Sequence, residues 1–127
     1  MINSLKTFLI NNMTTINLEA GKNIFFETLP RGIDGIMLSL SRGYALGKMK
    51  QKTERFYIYV SMKTTSEGVE VTDELLSLFC GEYELKQSIE VDGEQLLVRE
   101  IQAPTLFLKE KDGRVTYLMK LQLTKVI

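Results

Sequence analysis

Apolar and polar residues alternate from Phe56 to Met62: Phe56, Ile58, Val60 and Met62 interleave with Tyr57, Tyr59 and Ser61. A period of two predicts a strand with one buried face. The spacing then changes. Val71, Leu75, Leu78 and Phe79 stand at i, i+4, i+7 and i+8, the apolar stripe of a helix. Glu67, Glu70, Asp73 and Glu74 crowd the start of that helix, where its dipole favours negative charge, and Gly81 is placed to end it in a left-handed conformation. The stretch from Glu54 to Gly81 is therefore a strand feeding a helix that folds back over it.

The same pattern predicts the remaining elements. Ile2, Leu5, Phe8, Leu9 and Met13 form one face of an N-terminal helix capped by Asn3 or Ser4, with Ile10 off the stripe and calling for a second cover. Thr14 to Gly21 reads as a loop or a short edge strand. Ile24 to Leu29 is a short apolar segment closed by Pro30, and Ile36 to Ser41 alternates as a strand. Arg42 to Arg55 has little periodicity and reads as a long basic hairpin arm joining two strands. After the second helix, Asp92-Gly93 and Asp112-Gly113 mark hairpin turns, and Ala103-Pro104 marks a kink or a strand edge. The last strand places Val115, Tyr117, Met119, Leu121 and Leu123 on one face, with Thr116, Lys120, Gln122 and Thr124 on the other. The expected fold is a single α+β domain over residues 1–127. Its antiparallel or mixed sheet has about five to seven strands, with an N-terminal helix and a second helix packed on one face.

Composition narrows the function classes. The 127 residues are 44% hydrophobic and 25% charged, ordinary for a soluble globular domain. There is no histidine and Cys80 is the single cysteine, which removes histidine acid–base chemistry, a Cys/His zinc site and an internal disulfide. Cys80 falls at a helix C-terminus, the wrong end for a lowered thiol pKa, and reads as a small core residue. No run of about 18 apolar residues predicts a membrane span, and the first twelve residues lack the apolar centre of a signal peptide. The expectation is a soluble intracellular protein with no cofactor and no metal. An enzyme working through carboxylates such as Glu54, Glu67 or Glu82 finds no motif to support it.

Charge sums to zero but is divided. Residues 1–66 carry nine bases and four acids, residues 67–100 ten acids and two bases, and residues 101–127 five bases and two acids. Blocks of opposite sign suit a head-to-tail contact between copies, or else are two solvated faces of one monomer. On the first reading the basic arm (Arg42, Lys48, Lys50, Lys52 and Arg55) meets the acidic helix start (Glu67, Glu70, Asp73 and Glu74) of a neighbour.

The order of elements carries a resemblance. An amphipathic helix and an apolar segment ending in Leu29-Pro30 precede a strand ending in Ser41-Arg42-Gly43. A glycine-bearing arm, the strand from Arg55 to Val60, an acidic-capped helix and the run Lys111 to Tyr117 follow. This resembles the small minor capsid and tail terminator proteins of long-tailed bacteriophages and prophages, in which a strand, a helix and a terminal D-x-G-R-x-x-Y hairpin recur. Here Asp112 and Gly113 are adjacent, a small departure. The resemblance implies a non-enzymatic virion protein of the tail or neck, assembled in the host cytoplasm as a ring, usually a homohexamer. Such a ring caps the tail tube, stops its polymerisation and offers a docking surface for the head. Its implied partners are further copies, the major tail tube protein and the head–tail connector, with DNA passing transiently through the pore. A head–tail joining or tail-completion protein, and a cytosolic oligomeric binding module unrelated to phage, are the alternatives.

Overall fold

In a computed structural model of the chain, residues 1–41, 45–46, 51–81 and 88–126 are described. Helix α1 (Ile2–Asn12) is followed by strands β1 (Ile24–Phe26), β2 (Gly35–Leu40), β3 (Ala45–Leu46) and β4 (Gln51–Met62). Helix α2 (Thr65–Phe79) then leads into β5 (Ser88–Val91), β6 (Glu94–Ile101), β7 (Thr105–Lys109) and β8 (Val115–Val126). The fold is α+β, as the pattern predicts. One mixed sheet runs β1-β2-β4-β8-β6-β5, with β3 added beside β4 and β7 beside β8. Among the described strand pairs, β1–β2 alone is parallel.

The two twelve-residue strands, β4 and β8, pair along their whole length from Gln51↔Val126 to Met62↔Val115 and form the spine of the sheet. Phe56, Ile58 and Val60 on β4, and Met119 and Leu123 on β8, are fully buried beneath the helices. Val71, Leu75 and Phe79 of α2 join Leu5 and Leu9 of α1 in the same core, and Phe8 meets Phe79 with ring centroids 5.7 Å apart. Both helices thus lie on one face. Among the described residues, no helix lies on the other face of the central strands.

Local chemistry explains most boundaries. Thr64 caps α2 by accepting from the backbone N–H of Glu67 (3.2 Å). The helix ends differently from the prediction: Cys80 is its C-cap in an extended conformation, and no left-handed glycine closes it. At α1 neither Asn3 nor Ser4 is the cap. The helix starts at Ile2 behind Met1, because both residues pack against the core and draw the first turn in. Ile10 is partly buried against the core too. The segment 14–21 forms a loop and not an edge strand; Ala20 makes an isolated bridge to Ile24.

Asp92 and Gly93 both have positive φ (51° and 78°), the two-residue hairpin turn expected of Asp-Gly. At Asp112-Gly113 only Gly113 is left-handed (φ 94°), so the loop is longer, closed by a bond from the Glu110 N–H to the Arg114 carbonyl (2.8 Å). Ala103-Pro104 separates β6 from β7, which run one after the other along the same edge of β8.

Candidate interaction surface

The predicted basic arm divides on inspection. Arg42, Lys48 and Lys50 lie outside the described residues. Lys52 and Arg55 are not on a free arm but within β4, whose first residues pair with both β3 and β8. Being three apart on a strand, they point to opposite faces. Lys52 is on the helix-bearing side and pairs with the buried Glu54 carboxylate (2.8 Å). Arg55 stands exposed on the helix-free side, its Nε donating to Gln122 Oε1 (3.4 Å).

Arg55 opens onto a shallow cleft of about 210 Å³ lined by Tyr57, Gln102, Lys120 and Gln122, with Glu100 as its acid. The cleft lies beside the β6 bulge between Val98 and Glu100, where the chain stays bonded to β8 through the Gln102 N–H and the Lys120 carbonyl (2.8 Å). Lys120 Nζ sits 5.7 Å from the centroid of the Tyr57 ring, a cation over an aromatic face. Arg99, exposed on the bulge, donates from Nε to Thr124 Oγ1 (3.2 Å). Tyr59, two residues beyond Tyr57 on the same face, meets Phe107 edge-on at 5.3 Å. The helix-free face therefore combines Arg55, Arg99 and Lys120 with Tyr57, Tyr59 and Phe107. Sequence reasoning placed neither Arg99 nor Lys120 with Arg55, since 44 residues separate Arg55 from Arg99 and only the β4–β8–β6 register joins them.

Beside this surface β7 is exposed at all five residues, and Leu106, Phe107 and Leu108 are 55%, 59% and 50% accessible. Such a run is uncommon for a sheet edge, which is usually short or charged. It bulges between Leu106 and Leu108, which turns Phe107 towards Tyr59. The composition Leu-Phe-Leu was legible in the sequence, but its exposure was not.

The acidic group also divides. Glu67, Glu70 and Asp73 are exposed on α2, and among the described residues no ion pair engages them. Val69, between them, is 43% accessible. Glu74 is not available to a neighbour. Its carboxylate accepts from the backbone N–H groups of Thr14 (2.8 Å) and Thr15 (2.9 Å) and from both threonine hydroxyls, clamping the end of α1 to α2. Partial burial raises its pKa, but these hydrogen bonds outweigh burial and leave it below the usual carboxylate range.

Arg114, in the Asp-Gly-Arg run, is buried rather than exposed. One guanidinium nitrogen donates to the Asp34 carboxylate (2.9 Å) and the Ile33 carbonyl (3.2 Å), the other to the Gly32 carbonyl (3.1 Å). It pins the β1–β2 connection across the ends of β4 and β8.

The carboxylates considered for catalysis are not assembled. Glu54 is enclosed beside Lys52, whereas Glu67 is exposed at the opposite end of the β4–α2 unit, and Glu82 lies outside the described residues. Gly68 packs on Tyr117, which pairs with Val60; from Val60 to Glu54 is six residues, about 20 Å along a strand. Among the described residues there is no cluster of three metal-ligating side chains, and no helix is long and apolar enough to cross a membrane.

No family model and no curated protein matches the chain. Among solved structures, one known only by a sequence identifier superposes over 100% of this chain and 96% of its own length, with a TM-score of 0.56 and 16% identity. The two share a fold from end to end, and at that identity the likeness speaks to the fold alone.

Proposed function

We propose that the protein is a structural tail terminator of a long-tailed phage or prophage: copies join head to tail into a ring that caps the tail tube, stops its growth and receives the head. The observation that carries this reading is the separation of charge that no ion pair among the described residues neutralises. Arg55, Arg99 and Lys120 stand on the helix-free face of the sheet, while Glu67, Glu70 and Asp73 stand on the helix that covers the other face. Because the two patches lie on opposite sides of the molecule, they cannot both enter one two-fold interface; each meets its complement on a different neighbour, and the contact repeats by rotation into a ring or runs on as a filament. The order of elements, from the amphipathic first helix to the Lys111–Tyr117 hairpin, supports the same reading through its resemblance to the terminator family.

Polymerising tail-tube protein from the same phage tests the function. Added protein is expected to bind at one end of each tube and halt elongation. Tubes that keep growing with the protein present refute the terminator reading, and binding to completed tubes without any effect on length favours the tail-completion alternative.

A further inference from the structure

The central strands expose an aromatic and basic face, and α2 exposes an acidic one with an apolar residue in its middle. We infer that these are the two halves of one contact: the outward face of α2 in one copy, carrying Glu67, Val69, Glu70 and Asp73, seats on the helix-free sheet face of the next, against Arg55, Lys120, Tyr57, Tyr59 and Phe107. The inference rests on the ring reading only for closure into a ring; the pairwise contact follows from the surfaces themselves.

Three features select this occupant. Charge is complementary: three exposed cations on the sheet side face three exposed acids on the helix side, and none of the six is neutralised by an ion pair among the described residues. The Gln102–Glu100 contact (3.3 Å) holds the cleft's acid to one side. Chemistry is complementary as well. Val69 offers an apolar knob, and the Tyr59–Phe107 pair offers an apolar seat beside the cations. Tyrosine, phenylalanine and arginine are the residues enriched where protein surfaces meet.

Architecture gives the third reason. Within each copy both helices cover one side of the sheet, so a neighbour's α2 on the other side would enclose it between helices, an arrangement common for sheets. Leu108 of β7, opposite Thr116 on the same face, then borders the contact. The two surfaces lie on opposite sides of one molecule, so each copy engages two neighbours.

The test is the mass of the full chain in solution by light scattering, across protein concentration and at about 0.05 and 0.5 M salt. The wild-type chain is expected to associate at low salt and to loosen as salt screens the contact. Two variants are then compared, Arg55→Glu with Lys120→Glu, and Glu70→Lys with Asp73→Lys. All four residues are exposed, so circular dichroism is expected to show both variants folded. Each alone is expected to associate at least about tenfold more weakly, and the two mixed in equal amounts to recover association, because every basic face then meets an acidic one. A wild-type chain that stays monomeric at the highest attainable concentration overturns the inference. So does a mixture no stronger than its components, or a variant that associates like wild type. Association with the predicted charge dependence but no effect on tail tubes would leave this contact standing and refute the terminator function alone.

Discussion

Replacing Arg114 by alanine probes how a residue from the last hairpin holds a loop eighty residues away. The side chain is 10% accessible and its partner Asp34 is 31% accessible. Truncation deletes the ion pair together with the bonds to the Gly32 and Ile33 carbonyls. Breaking a fully buried pair costs about 3–5 kcal/mol, because the abandoned charge stays desolvated. Here Asp34 and the loop carbonyls border solvent and water can replace part of the guanidinium, so the expected loss is about 2–3 kcal/mol. For a chain of this length that corresponds to a fall in Tm of roughly 10 °C. Arg114→Lys keeps the charge but cannot serve the carboxylate and two carbonyls with one planar fork, and should recover only about half of the loss. Urea denaturation of the two variants and of Asp34→Ala supplies the comparison. A loss below about 0.5 kcal/mol for Arg114→Ala, or a lysine variant equal to wild type, would show that the loop is held by something else.

Other expectations follow from single contacts. Glu74 has a folded-state pKa below its unfolded value, so the stability it adds is present above the unfolded carboxyl range and is lost as pH falls through the depressed value. Glu74→Gln should therefore be less stable than wild type at pH 7, by about 1–2 kcal/mol, and the gap measured by urea melts should narrow under acid conditions below pH 4.5. A methyl group on Gly68 would come within 2.7 Å of the Tyr117 ring and 3.1 Å of Val115 Cγ2. Gly68→Ala should lose about 1–2 kcal/mol in thermal melts despite a gain of up to about 1 kcal/mol in helix propensity. Leu75 is fully buried and Leu78 only partly, so Leu75→Ala should cost about 3–5 kcal/mol in urea melts and Leu78→Ala clearly less.

The parts of the fold legible in the sequence are those fixed by neighbours in the chain. The β4–α2 unit announced itself because apolar spacing changes from two to nearly four between Met62 and Val71. The Asp92-Gly93 turn was legible because few other residue pairs tolerate two successive positive φ angles. The start of β4 was not. Gln51 to Arg55 carries no apolar alternation, because at that end the strand holds a Lys52–Glu54 pair and a Thr53–Thr124 hydroxyl contact (2.9 Å) instead of aliphatic side chains. A strand built that way looks like a polar arm.

The candidate surface was legible in charge and not in membership. Segregation of acids and bases is a property of the sequence. Which cations share a face depends on the β4–β8 register and on a bulge in β6, neither of which leaves a local trace. Glu74 was missed as a clamp because its partners Thr14 and Thr15 lie about sixty residues earlier. Arg114 was missed for the same reason, since Gly32, Ile33 and Asp34 precede it by 80 residues or more.

Tail length tests the terminator proposal most directly. Particles produced from a genome lacking only this protein are to be measured by electron microscopy, with and without the protein supplied in trans. The account predicts headless tails of excessive and variable length, restored to a single length by the wild-type protein. Tails of uniform, normal length in its absence would contradict it.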